Sequence, residues 1–175
     1  MTQIFLGLGS NLQREKNIFA GLTALEKLFG ELIISPIYES ESVGFKGSHF
    51  YNLVVSANTD LSIAQLSEAL KKIEDENGRV RTGPKFSPRT LDIDILTYGN
   101  FVGVDSGIEL PRAEITQNAF VLLPLSEIAP HELHPQLQKT YAELWISYDK
   151  NSQSLWEIQL STPAIKPELT EASSN

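Results

Sequence analysis

The chain has 175 residues, 41% of them hydrophobic, which is enough apolar content for one substantial core, and residues 1–160 read as a single domain. It has no cysteine, which excludes disulfides and thiolate metal sites, and its net charge of -8 argues against the broad positive potential that non-specific nucleic-acid binding needs. No signal peptide or bilayer-length apolar run is read, so the expectation is a soluble, cytoplasmic protein that uses no membrane partner.

In chain order, Gln3 to Leu8 reads as a short apolar strand that breaks at Gly9-Ser10-Asn11. Ile18, Leu22, Leu25 and Phe29 then recur at helical spacing on one face. Leu32 to Tyr38 and Asn52 to Thr59 read as strands, the second rich in small and β-branched residues. Ser62 opens a further helix. Gln65 is spaced for a reciprocal capping box, Leu61 and Leu66 for a hydrophobic staple, and Ile63, Leu66, Leu70 and Ile73 form the stripe that should be buried. Gly78 closes it. Asp92 to Tyr98 reads as another strand, and Thr116 to Ser126 as containing a short helix. From Ser161 onward Ser, Thr, Pro, Glu and Asn dominate, the composition of a disordered tail.

The run from Arg79 to Leu96 carries the chemistry. Arg79, Arg81, Lys85 and Arg89 lie just ahead of Asp92 and Asp94, and four of the five arginines, Arg79, Arg81, Arg89 and Arg112, fall between residues 79 and 112 of an acidic protein. Strand residues two apart share a side, so the two aspartates emerge together while Ile93 and Ile95 enter the opposite, apolar layer. Paired carboxylates suit magnesium, a hard cation that takes one or two carboxylates and completes its shell with water and substrate phosphate oxygens. Arginine forks match the phosphate oxygens that remain. Thr82-Gly83-Pro84 and Ser87-Pro88 punctuate the intervening stretch as a mobile loop.

Gly-Arg-x-Arg followed by Pro-Arg-Thr-Leu-Asp-Ile-Asp-Ile-Leu resembles the signature of the 6-hydroxymethyl-7,8-dihydropterin pyrophosphokinases of folate biosynthesis. Other segments agree in order, from Leu6-Gly7-Leu8-Gly9-Ser10-Asn11-Leu12 through Tyr38-Glu39-Ser40, Val43-Gly44-Phe45 and Phe50-Tyr51-Asn52 to Phe120-Val121-Leu122-Leu123-Pro124. The resemblance runs from about Ile4 to about Leu144. The strand and helix order resembles a ferredoxin-like α+β sandwich, an antiparallel sheet covered by helices on one face, and the family resemblance implies transfer of pyrophosphate from ATP to a reduced pterin. It further implies two magnesium ions on Asp92 and Asp94, and Arg79 and Arg89 as the catalytic phosphate clamp. Lys71, Glu74, Arg81, Phe86, Ile95 and Arg112 would contact ATP. Phe50 and Phe120 would stack on the pterin, Asn52 would read its edge, and Ser40 and Val43 would add main-chain contacts. A monomer is expected.

The chain departs from the family pattern in places. Phe86-Ser87 stands where the family usually has Trp-Gly, and Pro111-Arg112 and Asn118 where it often has Pro-His and an arginine; Ser42 and Lys71 also differ. Arg112 could supply the missing cation from a new position. A paralogue that binds pterin or nucleotide without turnover, or another magnesium-dependent transferase, are the alternatives. His131-Glu132-Leu133-His134 has its histidines three apart between prolines and reads as a structural loop rather than a zinc site. Gly7-Leu8-Gly9-Ser10 and Gly44-Phe45-Lys46-Gly47-Ser48 lack the lysine pattern of a P-loop and read as tight turns. Trp145 and Trp156 are assigned to packing of the C-terminal segment.

Overall fold

The computed structural model describes residues 1–41, 49–78 and 90–160. The first strand, β1 (Thr2–Ser10), turns Ile4, Leu6 and Leu8 to one face and Phe5 to the other. It continues through Gly9 and Ser10, past the break expected there. Helix α1 (Arg14–Phe29) buries Ile18, Leu22 and Leu25 of the predicted stripe, and its fourth member, Phe29, is half-buried against the same core. The next strand is split into β2 (Ile33–Ile34) and β3 (Ile37–Ser40) by Ser35-Pro36. Proline cannot donate to a ladder, and Ser35 Oγ accepts instead from Val54 N at 2.9 Å, closing the gap in the pairing.

Strand β4 (Phe50–Thr59) precedes helix α2 (Ile63–Glu76), whose capping box forms as the sequence requires. Gln65 N donates to Ser62 Oγ at 3.2 Å and Ser62 N to Gln65 Oε1 at 2.9 Å, a cap worth about 1 kcal/mol. Gly78, at φ 81°, follows the helix end in the left-handed region that glycine adopts without strain. Then come β5 (Asp92–Tyr98), the hairpin of β6 (Gly103–Asp105) and β7 (Ile108–Leu110), helices α3 (Glu114–Gln117), α4 (Ala119–Ile128) and α5 (Tyr141–Ser147), and β8 (Leu155–Ile158).

The main sheet is antiparallel, in the order β5-β1-β4-β3-β8 with β2 also pairing β4, and the fold is the α+β ferredoxin-like arrangement. Helices cover both faces, not one. On one face α1 and α2 pack on Ile4, Leu6, Leu8, Leu53, Val55, Ile93 and Ile95. On the other, α4 and α5 pack on Phe5, Val54 and Leu96. The cause is visible in β1, β4 and β5, where apolar residues occupy both alternating sets, so neither face can be left to water. At one end of the second face the apolar side chains give way to glycine, amide and carboxylate, and a cavity opens there. Among the described residues no helix is long and apolar enough to cross a membrane.

Candidate functional site

The cavity floor is set by register. Gly9 sits opposite Asp92 on one side and Asn52 on the other, and Gly7 opposite Asp94 and Val54. Directly opposed residues of antiparallel strands share a face, so Asp92, Gly9 and Asn52 form one row and Asp94, Gly7 and Val54 the next. Two strand glycines side by side remove the side chains that would fill the space, leaving a cavity of about 540 Å³. A Cβ built on Gly9 would lie 2.8 Å from Asn52 Oδ1. The tight turn expected of Gly7-Leu8-Gly9-Ser10 is therefore a strand interior whose glycines admit close approach.

Two walls rise from this floor. Ser40 and Phe50, paired across β3 and β4, form one, and Phe120, Val121 and Asn118 at the start of α4 form the other. Asn52 is buried and its Nδ2 donates to Ser40 Oγ at 3.3 Å, which orients the amide. An aromatic on each wall with an amide between them suits a flat, apolar-faced ligand with polar edges.

The third side is charged. Asp92 and Asp94 both line the cavity, joined by Arg112 and Glu114. Arg112 Nη2 lies 3.4 Å from Asp94 Oδ1, and its Nε donates to Glu114 Oε2 at 2.9 Å. Burial, then repulsion from Asp92, pushes the Asp94 carboxyl up to about 7, with Arg112 opposing and Glu74 and Glu114 adding to the rise. Two neighbouring carboxylates facing one cavity are a donor set that fits magnesium, which takes one or two carboxylates and leaves the rest of its shell to water and phosphate.

Of the residues singled out in the sequence, Ser40, Phe50, Asn52, Asp92, Asp94, Arg112 and Phe120 meet at this cavity. Val43, Arg79, Arg81, Phe86 and Arg89 lie outside the described residues. Lys71 is exposed on α2 and does not line the cavity. Ile95 is 4% exposed and its side chain belongs to the core under α1 and α2, so a ligand on the cavity side cannot meet that side chain. Glu74, expected to contact ATP, is buried and does not line the cavity; its Oε2 accepts from Ile93 N at 2.7 Å on the outer edge of β5.

Gly7, Gly9 and Glu114, which also line the cavity, are not among the expected site residues. A G-x-G inside an apolar strand was the available signal for the first two. His134 is buried in its loop, where its Nδ1 accepts from Gln136 N at 3.2 Å and Leu137 N at 3.1 Å, the structural role read for it.

An antiparallel α+β sheet that opens neighbouring carboxylates and an arginine onto an aromatic-walled cleft defines a protein able to hold a phosphorylated ligand against a flat one. Residues 5–130 match the family 7,8-dihydro-6-hydroxymethylpterin-pyrophosphokinase (HPPK). A 2-amino-4-hydroxy-6-hydroxymethyldihydropteridine pyrophosphokinase of Aquifex aeolicus is 36% identical over 145 residues, 82% of this chain and 90% of its own. One of the same name from Porphyromonas gingivalis is 37% identical over 142 residues, 78% of this chain and 96% of its own. The Folic acid synthesis protein FOL1 of Dictyostelium discoideum is 37% identical over 139 residues, but the chain spans only 21% of it. The fold is shared with Plasmodium falciparum HPPK-DHPS, with a TM-score of 0.64 at 16% identity over 83% of this chain and 43% of that one. The chain belongs to the 7,8-dihydro-6-hydroxymethylpterin-pyrophosphokinase family.

Proposed function

We propose that this chain transfers a pyrophosphoryl group from ATP to the hydroxymethyl oxygen of 6-hydroxymethyl-7,8-dihydropterin, giving AMP and the pterin diphosphate in folate biosynthesis. One observation carries the reading: Asp92 and Asp94 open onto the same cavity that Phe50, Asn52 and Phe120 line. Family membership and relatives named as pyrophosphokinases support it.

The hydroxymethyl oxygen forms a bond to the β-phosphorus, the bond from that phosphorus to the bridging oxygen of the α-phosphate breaks, and AMP leaves with the electron pair. The hydroxyl proton passes to solvent. Such a reaction is governed by alignment and by stabilisation of charge on the phosphate oxygens. Phe50 and Phe120 sandwich the pterin ring, and Asn52, steadied by Ser40, reads its edge with a donor and an acceptor at once. Val43 adds a main-chain contact. Asp92 and Asp94 hold two magnesium ions. When bound, these supply hard positive charge to the phosphate oxygens and make the substrate hydroxyl easier to deprotonate.

Arg79 and Arg89 clamp the transferred phosphates, with Arg81 joining them, and Arg112 adds a cation from the charged side of the cleft. Lys71, Phe86 and the main chain of Ile95 complete the nucleotide side, and buried Glu74 braces the strand that carries the aspartates. Residues 1–160 act as one domain, in a cytoplasmic monomer.

The test is to incubate the pure protein with ATP, magnesium and the hydroxymethyl dihydropterin and to follow AMP and the pterin diphosphate together. Equal amounts of both are expected; ADP in place of AMP, or no product at saturating substrates, overturns the reading. A chain that binds without turnover is the second reading, favoured by the engagement of Arg112 with Asp94 and Glu114. Tight pterin binding with no AMP would establish it.

A further inference from the structure

Beyond residue 130, where the family match ends, the chain passes through α5 to β8, and its last described stretch touches both walls of the cavity from behind. Gln153 reaches the start of α4. Its Oε1 accepts from Ala119 N at 2.8 Å, and its Nε2 donates to Asn118 Oδ1 at 3.0 Å and to Gln117 O at 3.3 Å. The first N–H groups of a helix have no acceptor within it, and Asn118, the N-cap of α4, makes no side-chain cap. Gln153 caps this helix from 34 positions along the chain. Asn118 and Phe120, on either side of Ala119, both line the cavity.

Two residues further on, β8 joins β3, with Leu155 opposite Ser40 and Trp156 opposite Glu39. Trp156 Nε1 donates to Glu39 Oε1 at 3.2 Å. The other oxygen of Glu39 accepts from Arg14 Nη1 at 3.2 Å and lies 3.2 Å from His49 Nδ1, while Arg14 also donates to His49 O at 3.0 Å. The Trp156 and His49 rings meet edge to face with centroids 5.5 Å apart. Glu39 and His49 are the immediate neighbours of Ser40 and Phe50, so this cluster braces the two strand ends that form the opposite wall.

We propose that Gln153 and Trp156 are positioning residues: the segment from Gln153 to Ile158 is a strap that fixes the separation between the Phe120 wall and the Phe50 wall, and so sets affinity for the flat substrate. Neither residue lines the cavity. The Tyr38–Glu127 hydrogen bond also ties β3 to α4, but near the far end of the helix; at the end that carries Phe120, Gln153 supplies the side-chain cap, beside the bond from Tyr148 Oη to Gln117 O at 2.9 Å and the buried Val121 and Leu122. Two aromatic walls grip a ring only when their gap matches its thickness, and each wall here stands on a different element. The choice of the pterin as ligand rests on the function proposed above.

The experiment compares Gln153→Leu, Gln153→Glu, Trp156→Phe and the Leu/Phe double variant with the wild type, using 6-hydroxymethyl-7,8-dihydropterin and ATP. In the double variant KM for the pterin rises about tenfold, as displacement of a positioned group by a fraction of an ångström requires, while KM for ATP stays within about twofold. Gln153→Glu keeps the acceptor for Ala119 N but loses both donor contacts, so its pterin KM lies between those of the wild type and Gln153→Leu. Amide exchange at Ala119 accelerates in Gln153→Leu but not in Gln153→Glu. Equal rises in both KM values, or an unchanged pterin KM, overturn the proposal. If the wild type neither binds nor converts the pterin, the proposed activity fails, and the strap is judged by exchange at Ala119 and Phe50: faster exchange in the two single variants supports it, and unchanged exchange overturns it.

Discussion

Replacing Gly9 by alanine adds one methyl group to the cavity floor, and its consequence can be worked out from neighbouring atoms. The new Cβ would stand 2.8 Å from Asn52 Oδ1 and 3.8 Å from Asn52 Cγ and Tyr51 O. Ordinary contact begins near 3.4 Å, so the amide must withdraw by about 0.6 Å, disturbing the 3.3 Å bond from Asn52 Nδ2 to Ser40 Oγ that orients it. Gly9 lies within a strand, where alanine is sterically allowed, so stability changes by about 1 kcal/mol or less. A group displaced by this fraction of an ångström should cost about tenfold in kcat/KM for the pterin, or about 1.4 kcal/mol. Steady-state AMP formation with the pterin varied at saturating ATP, alongside a melting curve, measures both quantities. Gly7→Ala, whose Cβ has Leu96 side-chain atoms at 3.5 to 3.7 Å as its nearest neighbours, should lose less. A Gly9→Ala enzyme with wild-type pterin KM and unchanged Tm would refute the claim that glycine is there to let Asn52 approach.

Other predictions concern the charged side. Asp94→Ala should abolish turnover while leaving pterin affinity, by calorimetry, within a few-fold of wild type; near-normal rates would contradict the role given to it. Arg112→Ala should lower kcat about a hundredfold if its guanidinium stabilises developing charge, and leave pterin KM little changed. An unchanged kcat would restrict Arg112 to its pairing with Asp94 and Glu114. The raised Asp94 pKa also predicts a pH dependence. Its folded value, about 7, lies above the ordinary 3.8, so its contribution to stability is complete below that lower value and is lost as pH rises through about 7. Screening at a side chain 39% exposed limits the effect to about 1 kcal/mol, or about 3 °C in Tm. The metal-free wild type should therefore lose Tm relative to Asp94→Asn between pH 5 and pH 8, and the Tm gain on adding magnesium should grow over the same interval. Parallel curves for the two proteins would argue against the shift.

Local signals carried part of the fold into the sequence. The Ser62 and Gln65 pair announces α2 because a capping box is made by residues three apart, and Ile63, Leu66, Leu70 and Ile73 announce its buried face for the same reason. The i, i+2 spacing of Asp92 and Asp94 fixes that they share a side once the segment is a strand. Features that depend on distant partners were not legible. Gly7 and Gly9 look alike in a turn and in a strand floor, and only pairing with β4 and β5 distinguishes the two. The second helical layer is not written in any one strand, since Phe5, Val54 and Leu96 become a face only when β1, β4 and β5 align. Glu74 follows helical polarity like any surface glutamate, yet the outer edge of β5 captures it through Ile93 N. The cap that Gln153 gives to α4 spans too much chain for any local pattern to reveal.

The most direct test of the paired aspartates is to locate the metal. Crystals grown with manganese, a non-hydrolysable ATP analogue and the pterin would give anomalous peaks at ion positions. The account predicts peaks within about 2.2 Å of carboxylate oxygens of both Asp92 and Asp94, with the pterin between Phe50 and Phe120. Peaks remote from both carboxylates, or a pterin outside the cavity, would contradict it.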